Sequence, residues 1–259
     1  MIRFRDDRPL LVGYLPAGFP TVPGGITALR TLVEAGVDVV EVGLPYSDPV
    51  MDGPVIQRAA EIALAGGVRT RDVLSTVEAL ATVGATALVM TYWNPVERYG
   101  VDAFGRDLAA AGGAGLITPD LLPDEADEWL VASDAHDLDR VFVVAPSSTD
   151  ARLAKTAAAC RGFVYAASVM GVTGARESAS AEAPALVARL REVTSLPVGV
   201  GLGVRDGVQA ATVGTYADAV IVGSALVGCL LAASSFDEGM SALGKLVEDL
   251  AAGVRSAGR

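Results

Sequence analysis

Eight short apolar runs punctuate the chain, and each is followed by a segment with the i, i+3, i+4 apolar spacing of an amphipathic helix. The runs cover residues 10–15, 37–42, 87–91, 115–117, 140–144, 162–166, 197–201 and 217–222. The helical segments cover 24–35, 54–65, 72–83, 101–111, 123–135, 150–160, 181–193 and 205–213. Eight units over 259 residues give roughly 32 residues each, the length of a strand–helix repeat. The runs are rich in Val and Ile without strict alternation, as parallel strands covered by helices are. No linker or composition shift divides the chain. The expectation is therefore one domain, residues 1–259, folded as a single (β/α)8 TIM barrel with parallel strands and a loose tail at 253–259. A doubly wound sheet is the alternative. It is disfavoured because Val204 stands where a dinucleotide fingerprint on Gly199, Gly201 and Gly203 would need glycine.

Composition narrows the function. Half the residues are hydrophobic (51%), which excludes intrinsic disorder. A net charge of -11 argues against nucleic acid and against anionic membranes, both of which need clustered Lys and Arg. No uncharged apolar stretch reaches the roughly 18 residues of a spanning helix. The start, residues 1–7, lacks the apolar core of a signal peptide, and Cys160 and Cys229 make no disulfide framework. These features point to a soluble cytoplasmic protein.

Several chemistries lack their residues. The only lysines, Lys155 and Lys245, lie in helix-like stretches, so a Schiff base in a strand-end pocket is disfavoured. The single histidine, His136, sits at a polar helix end and reads as a C-terminal helix charge rather than a base. There is no Cys-x-x-Cys, no nucleophile elbow and no Walker motif; no metal site is expected. Acid–base work falls to carboxylates, tyrosines or water.

Turn formers collect after the strands: Pro45 to Pro49, Asn94-Pro95, Thr118-Pro119-Asp120, Gly171 to Gly174 and Gly201-Leu202-Gly203. In a barrel these loops build the site. Gly203 after strand 7, and Gly223 with Ser224 after strand 8, suit a phosphate cradle, Ser224 standing where a helix N-cap hydroxyl would. Gly174 after strand 6 would fold over the same spot. Any one of these glycines is also explained as a tight turn; three clusters on consecutive strands favour the cradle. In strand 2, a period of two puts Glu41 on the face opposite Val40 and Val42, so Glu41 points into the barrel mouth. Buried there without an evident arginine, its pKa should rise, which suits a general acid. Asp52 reads either as a second catalytic carboxylate or as a cap of the helix at Pro54. Tyr165 points inward or is a core aromatic. Phe19, Met90, Tyr92 and Ile117, near strand ends, are expected to line an apolar pocket.

The stretch from Glu41 to Gln57, Glu-Val-Gly-Leu-Pro-Tyr-Ser-Asp-Pro-Val-Met-Asp-Gly-Pro-Val-Ile-Gln, resembles the strand-2 signature of the tryptophan synthase α subunit family. Tyr165 to Ser168, Gly171 to Gly174, Gly201-Leu202-Gly203 and Ala219 to Ala225 match in family order. The resemblance implies a TIM barrel that cleaves indole-3-glycerol phosphate to indole and glyceraldehyde 3-phosphate without a cofactor. It implies an α2β2 complex with a β subunit that carries pyridoxal phosphate. By resemblance Glu41 and Asp52 are the catalytic carboxylates, Tyr165 is an active-site tyrosine, and Gly174, Gly203, Gly223 and Ser224 hold phosphate. Tyr92 to Pro95 and Asp120 to Pro123 would face the β subunit. The loops at 46–53 and 169–181 would close over ligand. A stand-alone lyase or a non-catalytic activating subunit would share these motifs. One departure from the family pattern is that only nine residues precede Leu10, too few for the usual helix before strand 1.

Overall fold

The computed structural model describes residues 1–5, 7–167 and 182–258. Eight parallel strands close on themselves in chain order: β1 (Leu10–Pro16), β2 (Val39–Gly43), β3 (Thr86–Met90), β4 (Gly115–Thr118), β5 (Asp139–Val144), β6 (Val164–Ala167), β7 (Val198–Gly201) and β8 (Ala219–Val222). The barrel is the expected (β/α)8 fold. The surrounding layer among the described residues is α1 (Val22–Ala35), α2 (Pro54–Ala65), α3 (Thr70–Ala81), α4 (Trp93–Tyr99), α5 (Val101–Ala110), α6 (Asp127–Ala135), α7 (Asp150–Ala159), α8 (Glu182–Val193), α9 (Gly207–Gly214), α10 (Ser224–Ala232) and α11 (Phe236–Ser256). None of these helices is long and apolar enough to cross a membrane.

Strand alternation divides the core in two. Leu11, Leu15, Val40, Val42, Val89 and Phe142 point out and pack under the helices. Leu10, Val12, Val39, Leu88, Val141 and Phe163 point in and fill the barrel. Among the described residues before β1 there is no helix, and the N-terminal segment itself covers the bottom of the barrel. Ile2 and Phe4 pack against the inner core, the Phe4 ring standing edge-on to Phe163 at 6.0 Å. The Ile2 N–H donates to the buried Asp139 carboxylate at 2.7 Å.

Two elements depart from expectation. Residues 93–99 form α4 rather than a turn; Pro95 falls in its first turn, where no intrahelical N–H bond is lost. Through Ser256 the expected loose tail is helical: α11 runs to that residue, and Gly253 and Val254 are buried. Ser235 caps α11, accepting from the Glu238 N–H. At its far end a Cβ on Gly253 would overlap the Gly207 carbonyl of α9, while the Gly207 N–H donates to Asp249 at 2.6 Å. Gly253→Ala should therefore destabilise the fold. Forcing the two backbones apart costs about 3 kcal/mol, against about 1 kcal/mol gained in helix propensity. A net loss of about 2 kcal/mol lowers Tm by about 4–8 °C; an unchanged melting curve would mean that the two helices do not touch as described.

Candidate active site

Glu41 stands in β2 between Tyr14 of β1 and Leu88 of β3, its register partners. Val40 and Val42 face the helices, so Glu41 turns inward as the alternation requires. It is 1% exposed, and its Oε1 has no hydrogen-bond partner among the described residues. Among the described residues no cation offsets the lost hydration, and burial pushes the carboxyl up to about 8. At neutral pH this group is a neutral acid with a proton to give.

Glu41 lies on a cavity of about 550 Å³ at the C-terminal mouth of the barrel, together with Asp52, Tyr14, Tyr165 and Met90. Gly201, Leu202 and Gly203 after β7, and Gly223, Ser224 and Ala225 after β8, line the same space. Gly223 is the N-cap of α10 and Ser224 its first residue, with no side-chain cap bond. The expected capping role of the Ser224 hydroxyl is thus corrected by one position. The first-turn N–H groups of α10 still lack intrahelical acceptors, and they suit an anion. Gly174 lies outside the described residues, as does the loop at 169–181.

Asp52 ends the loop between β2 and α2. Gly53, not Asp52, is the N-cap of α2, which removes the capping alternative. Burial raises the Asp52 pKa, and a hydrogen bond from the Tyr92 hydroxyl works the other way, favouring the charged form. Burial also pushes the Tyr92 hydroxyl up to about 12, so it stays a donor. The same oxygen accepts the Met51 N–H at 2.9 Å, and the Tyr92 ring packs against Tyr46 at 5.3 Å. Tyr92 is therefore not a wall of the cavity, as its place near a strand end suggested, but a clamp behind the loop that carries Asp52.

Two further expectations are corrected. Phe19 is 2% exposed and belongs to the outer core between barrel and helices. Ile117 is fully buried in the inner core, below the cavity rather than on it. Tyr165 and Met90 do line the cavity. Sequence reasoning missed Tyr14. Its signal was the alternation Leu10, Val12, Tyr14, which points one way into the barrel. The Tyr14 ring reaches across Gly43, where any Cβ would overlap the phenol oxygen. Burial lifts the Tyr14 pKa well above its usual value, and the nearby Asp52 and Glu41 carboxylates add to the effect.

Beside the mouth, the Trp93 N–H donates to the Asp120 carboxylate at 2.9 Å, joining the loops that follow β3 and β4. His136 caps the end of α6 and pairs with Asp102 at 2.9 Å, away from the cavity, as a structural residue would.

Tyr92→Phe should lower kcat about tenfold for any chemistry that depends on the placement of Asp52. The change removes one hydrogen bond to a carboxylate and one acceptor for Met51, and losing about 1.4 kcal/mol in the transition state gives that factor. Steady-state rates check it; an unchanged kcat would mean that Asp52 holds its position without the clamp.

Residues 3–254 match the family model described as tryptophan synthase alpha chain. The tryptophan synthase alpha chain of Salinispora arenicola is 67% identical, over 97% of this chain and 94% of the relative. That of Mycobacterium avium is 65% identical, over 96% and 90%. Among solved structures, tryptophan synthase of Mycobacterium tuberculosis superposes with a TM-score of 0.90 at 63% identity, covering 96% of this chain and 93% of that one. The alpha-subunit of Pyrococcus furiosus, a mutant form, superposes with a TM-score of 0.85 at 30% identity, over 95% and 99%. A closed parallel barrel with a buried glutamic acid at its mouth is thus matched by likeness along nearly the whole chain, which belongs to the tryptophan synthase alpha chain family.

Proposed function

We propose that Glu41 and Asp52 perform the acid–base steps by which this chain, a lyase of tryptophan biosynthesis, cleaves indole-3-glycerol phosphate to indole and glyceraldehyde 3-phosphate. The observation that carries this reading is the Glu41 carboxyl, buried and open to the cavity, with its Oε1 unpartnered among the described residues. Neutral Glu41 gives its proton to C3 of the indole, turning the ring into an electron sink. Positive charge develops on N1–H, and ionised Asp52 accepts a hydrogen bond from it. Glu41, now a carboxylate, takes the proton from the hydroxyl on the carbon attached to C3. The bond between that carbon and C3 breaks, its electrons return to the ring, and the aldehyde forms. Glu41 ends protonated, so the cycle balances.

Tyr165, Tyr14 and Met90 enclose the indole, while Gly203, Gly223 and Ser224 hold the phosphate; Gly174 is assigned to the same cradle by resemblance alone. None of these steps calls on a cofactor. The partner is a tryptophan synthase β subunit in an α2β2 assembly, with pyridoxal phosphate on that partner, and the complex works in the cytoplasm on a small-molecule phosphate substrate. The joined loops at Trp93 and Asp120 belong to the face that meets it. An indole-release assay with and without the β subunit tests the reading. Slow release alone and faster release with partner is expected. Equal rates would mark a stand-alone lyase, and no release in either case a non-catalytic activating subunit.

A further inference from the structure

We propose that Arg205 is the side-chain cation that draws in and grips the phosphate end of the substrate, an inference that rests on the phosphate cradle assigned above. Among the described residues lining the cavity it is the only basic one; the other ionisable groups there are Glu41, Asp52, Tyr14 and Tyr165. A phosphate monoester carries a charge of about -1.5 to -2 at neutral pH. It approaches a chain of net charge -11 and a cavity in which the other charge among the described residues, that of ionised Asp52, is negative. Without Arg205, backbone dipoles alone, among the described residues lining the cavity, would favour entry.

The residue is well held for this task. It follows Gly203, which takes φ +76°, and the buried Val204. Its own N–H donates to the Gln209 side chain at 3.0 Å. The adjacent Asp206 carboxylate is occupied capping α9, accepting the Gln209 N–H at 2.8 Å. Three arginines of comparable or lower exposure are committed to carboxylates, Arg8 to Asp38, Arg189 to Asp150 and Arg191 to Asp218. Arg205 shares its lack of an ion pair with others such as Arg98 and Arg152 but is alone among them in lining the cavity. Among the described residues Arg205 has no ion pair. Its exposed guanidinium, with planar forked donors, is suited to phosphate oxygens.

The phosphate does not change during bond cleavage, so Arg205 binds ground and transition states alike. Its loss raises KM and leaves kcat in place. The test uses the complex with the β subunit and the variants Arg205→Ala and Arg205→Lys. For Arg205→Ala, KM for indole-3-glycerol phosphate should rise about tenfold, the worth of one charge-assisted hydrogen bond, with kcat within about twofold. The salt dependence of kcat/KM should weaken, and lysine should restore part of the affinity as a point charge. A KM within about twofold of wild type overturns the proposal. Amide NMR with glycerol 3-phosphate separates this failure from failure of the cradle. Shifts at Gly203, Gly223 and Ser224 with equal affinity in wild type and Arg205→Ala leave the cradle standing and remove Arg205 from it. No shift at those amides in wild type removes both.

Discussion

Glu41→Gln should abolish indole release, with kcat down by about 10³-fold or more, while glycerol 3-phosphate still binds. Glutamine keeps the shape and fits the same apolar slot, but it has no proton to deliver to C3 and no carboxylate to take the hydroxyl proton afterwards. Proton transfer by one placed side chain contributes about 10²–10⁴-fold, and here one group serves two transfers. In the wild type, the acid form is required, so the rate should fall as pH rises through about 8. The same burial sets a stability signature. An unfolded chain ionises this carboxyl near pH 4.5, the folded one near pH 8. Between those values the folded state keeps a proton that the unfolded state has lost, so stability declines as pH rises, by about 1.4 kcal/mol per unit for this group alone. Glu41→Gln removes that slope. Its Tm should therefore gain on wild type between pH 5 and pH 8. Thermal unfolding at both pH values checks it, and parallel Tm shifts in the two proteins would contradict it.

Asp52→Asn should lower kcat/KM by about 10²–10³-fold without unfolding the protein. Asparagine can still accept the Tyr92 hydroxyl through its amide oxygen, so the loop stays clamped. The negative charge facing the developing cation is lost, and a single preorganised electrostatic contact of this kind is worth about 2.7–4 kcal/mol in the transition state. Burial raises the pKa of Asp52, so holding the charge there costs stability; the variant should melt at or above the wild-type temperature. Kinetics and Tm measured together separate the effects. Activity within about threefold of wild type would remove Asp52 from the chemistry, and a lower Tm would make it a structural residue.

The barrel was legible because each strand repeats one physical statement. Val40 and Val42 need a helix to cover them, which leaves Glu41 only the interior. The inward aim of Glu41 could be read for the same reason, because a charge in an apolar run is conspicuous; Asp52, in a loop between Pro49 and Pro54, carries no such pattern. Height within the barrel was not legible. Met90 and Ile117 are register partners on β3 and β4, yet Met90 lines the cavity and Ile117 lies beneath it. Strand tilt and stagger decide this, and periodicity within one strand carries no information about its neighbour's offset. Tyr92 was misread for a related reason. Its partners Met51 and Asp52 are some forty residues away, and hydrogen bonds across that distance have no local pattern. Phe19 could not be assigned to a side of the sheet because it lies beyond the end of β1, where alternation stops. Tyr14 and Arg205 were hidden by company: a tyrosine in an apolar run reads as core, and an arginine at a helix start reads as surface.

The most direct test of this account is the protonation state of Glu41 itself. Carboxyl-13C NMR of glutamate-labelled protein, with the signal assigned by its loss in Glu41→Gln, should show one buried carboxyl that titrates near pH 8 and is neutral at pH 7. A signal that titrates near 4.5, ionised throughout the neutral range, would contradict the claim that this residue is the acid that starts the reaction.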